Sequence, residues 1–378
     1  MLLSVRDFSA SGYRSLRQIT YPVSDLEVFV GANGVGKSNL YRALELMRSA
    51  AANTLGQDLA REGMDAAFWA GARRRQEPRR IALSVGLAAN DRRGVAFKYE
   101  VEIGFPPSEA SSAFPVEPQV KTEALIFLGG SRPVRMMDRK GPSVMVRGED
   151  GRPVQADLDL LSSETVLGRL EDPSKYPGLD EVRRTLLERR FYHDLRTDAD
   201  SPIRRPCVAV ATPTLASDGA NLAAVFATLV HIREDAFDLG GLIDQAFPGA
   251  KLVVPPPGRM ANFGMRFPDF PDRVFDAAEL SDGTLRFLAL AGALMAYRRP
   301  PFIALNEPES SLHPDLMEPL AKLVARASEV AQVWMVTHSE RLAKAISDTT
   351  SGAVRTVTKI DGATTIEGLT RLGQFRDG

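Results

Sequence analysis

The chain has 378 residues, 44% of them hydrophobic, a formal net charge of -1, one cysteine and four histidines. A single cysteine, Cys207, excludes an intramolecular disulfide or a cysteine metal cluster, and His193, His231, His313 and His338 are too scattered for a metal-ligand spacing. No run of about 18 apolar residues could span a membrane and the N-terminus lacks the apolar core of a secretion signal, so no membrane partner and a cytoplasmic location are expected.

In chain order, residues 2–8 and 13–19 alternate loosely and predict a strand or hairpin leading into a short apolar strand at 26–30. Directly after it, Gly31 to Ser38 reads GANGVGKS and fits G-x-x-x-x-G-K-[ST] at every fixed position. Leu40, Ala43, Leu44 and Met47 then recur at helical spacing, so the motif stands in the strand-loop-helix setting it requires. Gly31, Gly34 and Gly36 let the backbone turn tightly and aim N–H groups at phosphate oxygens, with the helix N-terminus adding its positive end. Lys37 would reach the β- and γ-phosphates and Ser38 would offer its hydroxyl to Mg²⁺.

Residues 81–87 and 95–103 predict a hairpin across the turn-rich 90–94, and 106–118 reads as an exposed loop. Further short strands are predicted at 122–127, 134–138, 143–147 and 154–158. From about Leu160 the pattern becomes helical, with helices predicted at 161–170, 179–190, 218–232 and 242–247, and a strand-like run at 261–267. LSDGT at 280–284 opens another helix, and the apolar strand 302–305 runs into Asn306-Glu307-Pro308-Glu309. A helix follows, then a strand at 332–337 ending in His338-Ser339, with Ser339 as cap of a helix over 340–346. The chain closes on a hairpin, 353–360 and 364–369, turning at Asp361-Gly362.

Four pieces in this order, a phosphate loop, an LSxG-like turn opening a helix, a strand ending in acid-Pro and a strand ending in Thr-His, are jointly far more specific than any alone. With LNEPESSLHP and MVTHS, the sequence resembles the RecF-like and OLD-like ATPases of the ABC type, related to the heads of structural-maintenance-of-chromosomes proteins. The resemblance implies an α/β P-loop NTPase of ABC-ATPase head type, an AAA-type ATP-binding domain over 1–378. It places the P-loop core at 1–50 and 285–378, a β-rich lobe at 80–158 and an inserted helical lobe at 159–284. It further implies ATP and Mg²⁺ as cofactors, with Gly31, Ala32, Asn33, Gly34, Val35, Gly36, Lys37, Ser38 and Asn39 around the nucleotide. Arg14 would lie near the nucleotide too. Ser38 and Asn306 would serve the metal, Glu307 would be the general base and His338 would sense the γ-phosphate. Ser281 and Gly283 would touch the ATP of a second subunit, making an ATP-dependent homodimer.

Two features depart from the pattern. Asn306 stands where an aspartate is usual; an amide oxygen accepts a hydrogen bond but carries no charge, so metal affinity and turnover are expected to be lower. The glutamine that usually links the phosphate site to the helical lobe has only Gln57 and Gln76 as candidates, neither in a convincing context. The resemblance implies action on DNA, in double-strand-break repair or genome defence. The alternatives are a weakly hydrolysing switch that controls a nuclease or toxin effector and, disfavoured by the long separation of Lys37 from Asn306, a transporter ATPase subunit. Two arginine groups, Arg73-Arg74-Arg75 with Arg79-Arg80 and Arg183-Arg184 with Arg189-Arg190, are solvated faces on the bland reading and DNA contacts on the sharper one.

Overall fold

The computed structural model describes residues 3–73, 79–89, 96–106, 113–148, 151–193, 195–232 and 236–376. It divides into two compact units, Met1–Ser24 with Gly31–Arg189 and Arg355–Gly378, and Asp25–Val30 with Arg190–Val354.

The first unit is built on an antiparallel sheet in the order Leu16–Pro22, Ser4–Tyr13, Arg80–Ala88, Phe97–Gly104, Gln119–Phe127, Val134–Lys140, Ser143–Arg147 and Pro153–Gln155. Alternation along Phe97–Gly104 turns Phe97, Tyr99, Val101 and Ile103 inward and leaves Lys98, Glu100 and Glu102 half-exposed, the period of a half-buried strand. The helix Lys37–Ala51 buries Leu40, Tyr41, Ala43, Leu44 and Met47 in the same unit. Two short helices absent from the sequence reading, Leu55–Glu62 and Met64–Ala67, follow it. The hairpin Ala353–Ile360 with Ala363–Ile366 turns at Asp361 and Gly362, with φ of 50° and 80°; two consecutive left-handed residues are what an Asp-Gly hairpin turn supplies.

The predicted helix over 161–170 shrinks to Val166–Arg169. Its start is fixed by side chains: Thr165 accepts from Gly168 N, and the buried Glu123 carboxylate accepts from Val166 N at 2.7 Å and Leu167 N at 2.9 Å. With these N–H groups held by carboxylate and hydroxyl oxygens, no helical turn forms before Val166. Burial pushes the Glu123 carboxyl up, while these N–H groups and the Tyr99 hydroxyl hold it down.

In the second unit four parallel strands run in the order Arg190–Tyr192, Phe302–Asn306, Gln332–Thr337, Leu26–Val30. The last three read as mostly apolar runs because they are largely buried: all six residues of Gln332–Thr337 are buried, and Phe29 meets Trp334 with ring centroids 4.4 Å apart. Helices Leu222–His231, Asp282–Leu294, Met317–Ser328 and Glu340–Thr349 supply the rest of the core through residues such as Phe226, Leu288, Leu320, Val324 and Ile346. Arg190, predicted as the end of a helix, instead opens the edge strand that pairs with Phe302–Asn306, the helix stopping at Leu187. The segment 159–284 therefore carries strands as well as helices, among them Lys251–Val253, Gly264–Arg266 and Phe275–Asp276 in a small antiparallel sheet. Cys207 sits half-buried in the two-residue strand Cys207–Val208 and packs on the core.

Candidate functional site

Within the first unit, the phosphate loop is shaped by contacts that only glycine permits. Gly36 has φ 97°, and a Cβ there would fall 2.0 Å from Thr364 Oγ1 and 2.3 Å from Ser15 Oγ; at Gly31 a Cβ would meet the Val357 carbonyl at 2.4 Å. The helix behind the loop has no side-chain cap at Gly36 and no acid in its first turn, which leaves its positive end for an anion. Lys37 is buried, and its ammonium donates to the carbonyls of Gly31 at 2.7 Å and Ala32 at 2.8 Å. Ala32, Asn33 and Gly34 form the exposed rim, while Ser38 is half-buried in the first helical turn.

Sequence reasoning missed the residues that brace this loop. Ser15 and Thr364 share a 2.6 Å hydrogen bond, Thr364 Oγ1 lies 2.7 Å from the Val35 carbonyl, and Asn39 Nδ2 donates to Ser15 Oγ at 2.7 Å. Lys359 reaches the Gly34 carbonyl at 3.4 Å. Arg14, with φ 47°, donates to Asn39 Oδ1 at 3.4 Å and to Glu62 at 2.9 Å, so it does stand beside the loop helix. Glu62 also takes the Tyr13 hydroxyl at 3.0 Å; burial first and the Glu62 charge second push that hydroxyl's pKa up. Gln57 is exposed on the helix Leu55–Glu62, and Gln76 lies outside the described residues.

In the second unit, the parallel strands bring their C-terminal ends to one edge. Val30 is in register with Thr337 and Asn306 with Val336, so the strand that leads into Gly31 ends beside those that lead into Glu307 and His338. This is the edge of a parallel sheet at which ligands bind. Glu307 has φ 48°, its N–H donates to the Val336 carbonyl at 2.8 Å, and Arg286 Nη2 donates to its carbonyl at 3.2 Å. His338 Nε2 donates to Glu307 Oε1 at 2.6 Å. Asn306 Oδ1 is buried and has no hydrogen-bond partner among the described residues, so an oxygen suited to a hard cation or its water is present. The LSDGT turn joins this group: Ser281 is exposed and caps its helix by accepting from Thr284 N at 3.2 Å, and a Cβ at Gly283 would lie 2.7 Å from the Ser311 carbonyl. Arg204, another residue with no local signal in the sequence, clamps that turn through the Leu280 carbonyl at 2.8 Å and Asp282 at 2.6 Å.

The arginine groups are only partly open. Arg183 pairs with Glu171 at 2.5 Å, Arg184 is exposed with Asp180 at 3.8 Å, and Arg189 is 1% exposed, so the 183–190 group is only partly open. Arg74 and Arg75 lie outside the described residues. Arg73, Arg80 and the exposed Arg17 line one cavity of about 430 Å³ in the first unit, with Trp69, Ser11 and Glu102. Arg80 pairs there with Glu102 at 2.9 Å.

The family described as "AAA domain, putative AbiEii toxin, Type IV TA system" matches residues 27–127 and 146–343, which include the phosphate helix, the acidic strand end and the histidine. The chain belongs to this AAA-domain family. Its fold is that of an Smc head domain. It is similar to an Smc head domain with an extended coiled coil bound to the C-terminal domain of ScpA, derived from Pyrococcus furiosus, at 14% identity over 97% of this chain and 96% of that one, with a TM-score of 0.52. An SmcHead bound to the C-winged helix domain of ScpA gives 15% identity over 96% and 97% of the two chains, with a TM-score of 0.50. Among curated proteins no match was found. No described helix of this AAA-domain protein is long and apolar enough to cross a membrane.

Proposed function

We propose that this AAA-domain protein binds and hydrolyses ATP as a nucleotide-switched dimer. The reading is carried by the Glu307–His338 pair, 2.6 Å apart on the sheet edge where the phosphate-loop strand also ends. The N–H groups of 31–36 and Lys37 hold the phosphates. His338 occupies Glu307 Oε1, which leaves Oε2 to accept a proton from the attacking water. By the family resemblance, Ser38 Oγ and Asn306 Oδ1 would each serve Mg²⁺, which would neutralise charge on the phosphoryl oxygens. The neutral amide at 306 also supports a second reading, slow hydrolysis in a switch that controls a partner effector such as a nuclease or toxin.

Dimerisation through the LSDGT turn is testable at Ser281. Ser281→Asp keeps an oxygen that can cap the helix but sets a carboxylate toward a phosphate; Ser281→Arg blocks the surface outright and removes a cap worth about 1 kcal/mol. Both variants are expected to bind ATP as monomers and to lose dimer and turnover together. A dimer in sizing runs of Ser281→Asp with ATP and Mg²⁺ would remove the shared site.

For action on DNA, in repair or in genome defence, the supporting feature is the cavity of Arg17, Arg73 and Arg80, since a chain of net charge -1 needs a local basic surface. Neutralising Arg17 and Arg73 is expected to weaken sequence-independent binding to duplex or single-stranded DNA and to reduce its salt slope by about two. Fluorescence anisotropy across a salt series reads this; an unchanged slope would place DNA elsewhere. A winged-helix or other protein partner at the head is a further expectation by analogy with the ScpA-bound Smc heads.

A further inference from the structure

We infer that Glu309 is a positioning residue that holds the turn after the strand Gln332–Thr337 so that the His338 ring stays on Glu307. The inference rests on the hydrolytic reading above and adds to it a residue with no contact to the reacting atoms.

One carboxylate oxygen gathers three donors. Glu309 Oε1 accepts from Thr337 Oγ1 at 2.6 Å, from His338 N at 2.7 Å and from Ser339 N at 3.2 Å. Bonds from N–H groups to an ionised acceptor are the strong class, and two successive N–H groups fix the direction in which the chain leaves the strand. The Glu309 backbone is itself fixed, its carbonyl accepting from Leu312 N at 3.0 Å. On the far side of the same turn, Ser339 Oγ accepts from Leu342 N at 3.1 Å and starts the helix Glu340–Thr349. His338 therefore sits between a held N–H and a capped helix. Its ring meets Glu307 Oε1 at 2.6 Å.

Glu307 does not depend on Glu309 in the same way. Its own backbone is held by the Val336 carbonyl at 2.8 Å and by Arg286 at 3.2 Å. Removing the Glu309 carboxylate thus leaves the base in place and releases the histidine. The arrangement also has a cost that packing alone does not explain: Glu309 Oε2 is buried and has no hydrogen-bond partner among the described residues. A half-satisfied buried carboxylate is poor for stability and is the sort of exception that accompanies function.

The test compares wild type, Glu309→Ala, Glu309→Gln, His338→Ala and the Glu309→Ala/His338→Ala double variant in steady-state ATP hydrolysis with Mg²⁺. Glu309→Ala is expected to lower kcat about tenfold or more with KM changed by less than about threefold, because no phosphate-holding group is touched. Glu309→Gln, whose amide oxygen can still accept the N–H groups, recovers most of the rate. The double variant is expected to be no slower than His338→Ala, since both losses run through one ring. A double variant slower by the full Glu309→Ala factor, or a Glu309→Ala rate equal to wild type, overturns the inference. A second readout needs no turnover: the NMR signal of the His338 ring, assigned by its loss in His338→Ala, should move in Glu309→Ala to where Glu307→Ala places it. An unmoved signal also overturns the inference. Wild-type protein that never hydrolyses ATP would count against the hydrolytic reading instead, and the ring signal would still decide the role of Glu309.

Discussion

Lys37→Ala should lose ATP binding by a hundredfold or more while the protein stays folded. A charge-assisted hydrogen bond contributes about 1.5–3 kcal/mol, and Lys37 would make two of them, to the β- and γ-phosphates, so its removal costs about two orders of magnitude in affinity or more. The fold should survive because the two carbonyls that the ammonium now holds, those of Gly31 and Ala32, lie on a half-exposed to exposed loop where water can replace it. The bracing by Ser15, Thr364 and Asn39 does not involve Lys37. Calorimetry on Lys37→Ala beside a melting curve separates the two effects; unchanged affinity for ATP would mean that the loop does not hold the triphosphate.

Glu307→Gln should do the reverse, keeping ATP and losing turnover by about two to four orders of magnitude, the usual worth of a positioned general base. The geometry sharpens the expectation. An amide at 307 can still bond the His338 ring 2.6 Å away, through its oxygen or its NH₂, but in neither orientation does it take up a proton as a carboxylate does. The variant should accumulate as an ATP-held dimer in sizing runs. Normal hydrolysis by Glu307→Gln would pass the role to another carboxylate, and Glu309 is a poor candidate because Oε1 is committed to three donors.

The structure around the candidate site was legible where it is local. The glycine spacing marked the loop after Val30, Ser339 the helix it caps, and short apolar runs the strands Leu26–Val30, Phe302–Asn306 and Gln332–Thr337, because strands buried on both faces are mostly apolar. What the sequence hid was carried by partners far away along the chain. Nothing near Ser15 marks Thr364 as its hydrogen-bond partner, and nothing near Arg204 points to the LSDGT turn. Three-residue strands such as Arg190–Tyr192 are too short for a period of two to register against a preceding helix. The truncated helix at Val166–Arg169 was set by Glu123 on a strand of the large sheet, a tertiary override of local pattern.

The hydroxyl pair at Ser15 and Thr364 closes a loop of 349 positions, and Thr364 also meets Val35 across 329. Contacts of such separation form only after the intervening chain has condensed, since the entropy of closing so long a loop is recovered only by what closes it. During synthesis, the glycine loop emerges first among the functional parts and is braced last, once the C-terminal hairpin has left the ribosome. A chain that has not yet reached this hairpin can therefore form its antiparallel sheet before the glycine loop has its brace.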